Sequence, residues 1–158
     1  EAYYAADLVS DLLGRGKSSV LYRRLVREKA VFSSINAYVT GSFDPGLLVI
    51  AGRVSEQYTL DEAHETLRRQ IHDFCETPAV DEEIDKAKNQ MESTLVFSET
   101  ELLNRAMGLA IGEALGNANL VNEELEAIHS LATDQIEASK GRLIRDEYCS
   151  TLLYRAKK

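Results

Sequence analysis

Residues 12–52 read "LLGRGKSSVLYRRLVREKAVFSSINAYVTGSFDPGLLVIAG", and the spacing of apolar side chains changes along this stretch. Leu12 and Leu13 close a run with Ala5, Leu8 and Val9 at helical intervals, and Gly14-Arg15-Gly16 ends it. Val20, Leu21, Leu25 and Val26 predict a second helix, with Ser18 or Ser19 as its cap. The period then falls to two. Ser33, Ile35, Ala37 and Val39 are expected on one side of a strand, with Ser34, Asn36, Tyr38 and Thr40 on the other. A turn cluster from Gly41 to Gly46 and an apolar run from Leu47 to Val54 complete an antiparallel hairpin.

Downstream, Thr59-x-x-Glu62 is a capping box that opens a helix with Leu60, Ala63, Leu67, Ile71 and Phe74 inward. From Asp81 to Leu115 the pattern is helical, with a phase drift between Leu95 and Leu102 that predicts two helices or a kink. Ala106, Met107, Ala110, Ile111 and Ala114 are expected to pack into the core. Two shorter helices follow, near 122–129 and from Thr133 to Leu143. Tyr148 to Tyr154 has the composition of a third strand. The order predicts an α+β fold of one domain, residues 1–158, in which helices cover one face of a small antiparallel sheet. A further strand ahead of Glu1 is expected to complete that sheet, which makes the chain a piece of a longer protein.

The chain's net charge is −8, unevenly placed. Residues 11–30 hold Arg15, Lys17, Arg23, Arg24, Arg27 and Lys29 against Asp11 and Glu28, a net of +4. Residues 55–101 hold thirteen acids against four cations. An acidic body argues against a nucleic-acid partner, whose affinity would come from neutralising phosphates. One basic helix on such a body suits a local anionic ligand or a solvated face. No apolar run reaches the roughly 18 residues of a membrane span, so no membrane partner is expected. Cys75 and Cys149 form no C-x-x-C pair; they are expected as buried thiols in a reduced, cytoplasmic setting.

Gly16-Lys17-Ser18 looks like the end of a phosphate-binding loop, but the Gly required five residues before Gly16 is replaced by Asp11. A helix rather than a strand precedes it, so the match is coincidental. His64 and His72 lie eight apart, too far for two imidazoles on one zinc, and no H-x-x-E-H or H-E-x-x-H occurs. No serine stands in a G-x-S-x-G elbow. Neither a metal site nor a catalytic residue is expected within this chain.

The stretch from Leu12 to Gly52 resembles the C-terminal-half signature of the insulinase/pitrilysin family of zinc metallopeptidases, which includes the mitochondrial processing peptidases. That pattern runs L-G-G-G-x-S-S-R-L-x-x-x-L-R-E-K-x-G-L-A-Y-S, then a hairpin with S-F-D-P-G. The chain supplies Leu13-Gly14, Gly16, Ser18-Ser19, Leu21, Leu25, Arg27-Glu28-Lys29 and Phe43-Asp44-Pro45-Gly46. "VDEEIDKAKNQMESTL" and "TDQIEASKGRLIRDEYCSTLLY" resemble later helices and the closing strand.

The resemblance implies two related halves that close around an extended peptide. Zinc is held by the half this chain does not contain, in the same chain or in a partner subunit. It implies a proteolytic whole enzyme and an inactive isolated half that holds substrate. Arg27 matches the family's substrate-holding arginine, a planar, permanently charged donor suited to a peptide carbonyl or carboxylate. The family's tyrosine falls on Ser33 with one residue deleted after Lys29, or on Ser34 without that gap. Ser33 and the neighbouring Arg24 are the further candidates for substrate contact. The missing phenol also leaves open a non-catalytic scaffold subunit of the same family.

Overall fold

The computed structural model describes residues 2–41 and 46–155. Helix α1 (Ala2–Gly14) is followed by a wide-turned π-helix (Tyr22–Glu28) and the antiparallel strands β1 (Phe32–Val39) and β2 (Leu48–Val54). Five helices complete the order: α2 (Leu60–Glu76), α3 (Asp81–Ser98), α4 (Leu102–Ala114), α5 (Leu120–His129) and α6 (Thr133–Leu143). The fold is α+β and mostly helical, with a two-stranded sheet among the described residues. The Phe43-Asp44-Pro45 part of the hairpin turn lies outside the described residues.

The core gathers Leu8, Val9 and Leu13 of α1, Leu21 and Leu25 of the basic helix, and Ile35 and Ala37 of β1. Ala63 and Phe74 of α2, Ile84 and Met91 of α3, and Ile128 and Ile136 of the last helices join them. Contact between α1 and β1 is close because Gly14 has no side chain. A Cβ there would lie 2.5 Å from the Ala37 Cβ. The capping box forms as expected: Thr59 Oγ1 accepts from the Glu62 amide at 3.2 Å, and the Glu62 carboxylate accepts from the Thr59 amide at 2.9 Å.

The structure corrects five expectations. The basic helix is not an ordinary α-helix capped by serine. Lys29 donates its amide to the Arg24 carbonyl five residues back, and the Ser19 hydroxyl bonds the Gly16 carbonyl instead of capping. In β1 the register slips between Phe32 and Ser34, a β-bulge. It turns Ser33 outward and leaves Phe32 and Ile35 buried, so Ser33 does not share the inner face of Ile35.

The apolar face of α4 is not core. Leu102, Leu103, Met107, Ile111 and Leu115 are exposed, because α4 meets α5 and the loop before it through its glycines. A Cβ at Gly108 would come within 3.2 Å of the Val121 side chain, and one at Gly112 within 3.0 Å of the Asn117 carbonyl. Residues 148–154 form no third strand. After a short 3₁₀ turn (Asp146–Tyr148) the chain runs exposed past α2, with Thr151 Oγ1 3.4 Å from His64 Nε2. Its β-prone composition finds no strand edge there to pair with. Cys149 lies in this segment and is exposed, and Cys75 is half-buried, so neither thiol is fully buried.

Lys140 on α6 is buried, and its charge is fully used. Nζ donates to the Thr77 carbonyl at 2.9 Å and to Glu137 Oε1 at 3.0 Å, and it sits 4.7 Å from the Phe74 ring centre. Glu137 Oε1 also accepts the Ala79 amide at 2.7 Å. Together they clamp the end of α2. Lys140→Met is expected to lower stability by about 3 kcal/mol, because it strands these acceptors without a cation; urea unfolding measures it.

The turn from basic helix to β1 passes through Ala30 at φ 51°, a left-handed backbone that a Cβ disfavours. Ala30→Gly is expected to raise stability by about 1 kcal/mol, since relief of this strain outweighs the added chain entropy of glycine. A urea midpoint that falls instead would show that the turn carries no strain.

Candidate functional site

The end of α1, the loop Arg15–Ser19, the basic helix and one side of α3 enclose an open groove of about 680 Å³. Leu21 and Leu25 anchor the basic helix in the core, which leaves Arg23, Arg24 and Arg27 on its outer side, all exposed. Arg23 and Arg27 line the groove together with Arg15, Lys17 and Lys86. Two of these five cations are compensated. Arg15 Nη1 lies 3.0 Å from Asp11 Oδ1, and Arg23 Nη2 lies 2.9 Å from Glu83 Oε1. Lys17, Arg27 and Lys86 form no ion pair among the described residues.

The candidates read from the sequence separate in space. Arg27 faces this groove. Arg24 lines a smaller cavity of about 250 Å³ with Gln70, Asp73, Phe74 and Lys140, and Arg23 borders both. Ser33 lines neither of these two cavities; its hydroxyl donates to the Arg53 carbonyl across the bulge at 3.1 Å.

The groove also contains Lys17, Lys86 and Asp11, which no motif in the sequence marks as site residues. The signal for Lys86 was present as a polar stripe, Glu83, Lys86, Gln90 and Thr94, beside the apolar stripe Ile84, Ala87, Met91 and Leu95.

Asp11 borders the groove with a buried side chain. One carboxylate oxygen meets Arg15, and Oδ2 has no hydrogen-bond partner among the described residues. Burial raises its pKa to about 6, opposed by the Arg15 charge and assisted by the nearby Asp7.

Among the described residues no group of three His, Cys, Asp or Glu is arranged to hold a metal ion. The histidines are dispersed: His64 beside Thr151, His72 3.5 Å from Glu76, and His129 3.1 Å from Glu92. This donor set does not fit a zinc centre. Among the described residues no helix is long and apolar enough to cross a membrane.

The domain is α+β with an open basic groove, and no metal-holding cluster stands among the described residues. Residues 1–91 match the family described as the peptidase M16 inactive domain, and the chain belongs to that family. Among solved structures it is similar to a "putative zinc protease" from Bordetella pertussis Tohama I, with a TM-score of 0.79 and 21% identity over 91% of this chain and 80% of that one. It is also similar to the inactive peptidase domain of a Bordetella parapertussis protein of the same description, with a TM-score of 0.81 and 19% identity over 91% of this chain and 79% of that one. A protease from Helicobacter pylori gives a TM-score of 0.82 and 16% identity over 92% of this chain but 35% of that one. No curated protein matches the chain.

Because the pKa of Asp11 is raised from 3.8 to about 6, the folded state binds its proton more tightly than the unfolded chain. Its contribution to stability is therefore present below pH 4 and lost as pH rises toward and through 6. Relative to Asp11→Asn, the wild type is expected to lose on the order of 2 kcal/mol between pH 4 and pH 7. Urea unfolding of both proteins across that range measures the difference, and parallel profiles would refute it.

Proposed function

We propose that this chain is the substrate-holding, non-metal half of a zinc-dependent metallopeptidase that closes with a zinc-bearing half over an extended peptide. Arg27 carries the proposal. It stands where the family pattern has its substrate arginine, it is exposed, and it faces the groove with no ion pair among the described residues. Its planar donors can hold a backbone carbonyl or a carboxylate while the chemistry proceeds elsewhere. No donor set among the described residues is arranged to hold zinc, so the contribution of this half is to bind and orient. Arg24, on the side of the smaller cavity, is a secondary contact for a longer peptide.

Ser33 favours a second reading. The left-handed backbone of Ala30 is a conformation glycine takes readily. It supports the alignment that puts the pattern's glycine at Ala30 and its tyrosine at Ser33. The Ser33 hydroxyl is short and already donates to the Arg53 carbonyl, so it supplies no phenol to a reacting peptide. On that ground the complete protein is a non-catalytic scaffold of the same family.

Proteolysis by the complete protein separates the two. In an active enzyme, Arg27→Ala is expected to lower kcat/KM about tenfold or more, the loss of a charged hydrogen bond worth roughly 1.5–3 kcal/mol. Arg27→Lys is expected to recover part of it. Unchanged kinetics in Arg27→Ala would remove this residue from the mechanism, and no peptide cleavage by the metal-loaded wild type would favour the scaffold.

A further inference from the structure

We propose that the groove is a specificity subsite for an acidic segment of the peptide, in which Lys17 and Lys86 pair with carboxylates on either side of the stretch held by Arg27. The inference rests on the substrate-holding reading and names the class of peptide that reading leaves open.

The charge balance of the groove carries it. Five cations line the cavity, and only Arg15 and Arg23 have partners, Asp11 and Glu83. Lys17, Arg27 and Lys86 have none among the described residues, on a chain whose net charge is −8. Basic side chains on an acidic protein that turn into one concave surface, rather than pairing with the abundant acids around them, create a local field that attracts negative charge. The three come from separate elements: the loop after α1, the basic helix and α3. An extended ligand with several charges meets all three, whereas a single compact anion does not.

Part of the backbone beside the groove is already bonded. A phosphate cradle needs free amides. Here the Arg15 amide donates to the Asp11 carbonyl, the Ser19 amide to the Gly16 carbonyl and the Arg23 amide to the Ser19 carbonyl. The side-chain donors along the walls include Lys17, Arg27, Lys86 and the Gln90 amide. A volume near 680 Å³ lies in the range of ligand pockets and is open to solvent, so a peptide can enter laterally.

The test uses the complete protein and two peptides of equal length, one with three glutamates and its isosteric glutamine analogue, followed by fluorescence anisotropy. The acidic peptide is expected to bind the wild type about tenfold more tightly than the neutral one, with the advantage shrinking as salt is raised. In the double variant Lys17→Gln/Lys86→Gln, and more strongly in Lys86→Glu, the ratio of the two affinities is expected to fall to about twofold or less. Both lysines lie at the surface, and circular dichroism confirms that the variants fold.

A ratio near one in the wild type, or the same ratio in wild type and variants, overturns the subsite. Tripolyphosphate displacing the acidic peptide at far lower concentration than a glutamate oligomer also overturns it, since the groove would then be a phosphate site. If neither peptide binds the wild type, the substrate-holding reading itself has failed. If the neutral peptide binds and no acidic preference exists, only the subsite has failed.

Discussion

The rest of the architecture depends on one close approach, Gly14 of α1 lying flat against Ala37 of β1. Any side chain at residue 14 would have to occupy the space of the Ala37 Cβ and amide, and neither the helix nor the paired strand can yield without breaking its own hydrogen bonds. This contact sets the distance between helix and sheet. It also forces the chain to leave α1 at the sheet surface, where Gly16 at φ 79° reverses it into the loop of Lys17 and Ser18. The basic helix then starts beside the sheet, driven inward by Leu21 and Leu25. Its arginines have only the outside left to them. A packing constraint between two small residues thus places the charged rim of the groove.

The groove is completed by a charge pairing across elements. Arg23 reaches Glu83 on the first turn of α3, and Thr133 donates to Asp81 in the same turn. The acidic start of α3 is favourable for the positive end of its own dipole, and it also gives the neighbouring elements an anchor. Surface ion pairs of this kind contribute little stability by themselves. Their effect here is directional: they hold the near side of α3, and with it Lys86, toward the basic helix.

Much of this was legible in the residues. The Thr59 capping box, the hairpin, the break after Ser98 and the last helix are local events, each decided by a few neighbouring side chains, and the structure has them where the spacing put them. The features that escaped are non-local. A one-residue slip at Ser33 depends on what faces it across the hairpin, and period-two counting has no means to register it. The apolar residues of α4 form a helical stripe that stays exposed, because Gly108 and not the large side chains approaches α5, and Gly112 approaches the loop before it. Residues 148–154 have strand composition without a strand beside them. In the candidate groove, the position of Arg27 follows from the inward spacing of Leu21 and Leu25, while Lys17 and Lys86 meet only once α3 is set against the loop.

The π-turn between Tyr22 and Glu28 has a further consequence, which concerns phase. Each residue of an ordinary helix advances its side chain by about 100° around the axis. A π-turn uses about one residue more for each revolution, so loss of a single residue would let it wind as an α-helix while the side chains beyond it keep close to their present phase. In most surface segments a one-residue gap is absorbed by a loop. Here the wide turn itself is the reserve, able to give up a residue and still leave the helix beyond it facing the same way.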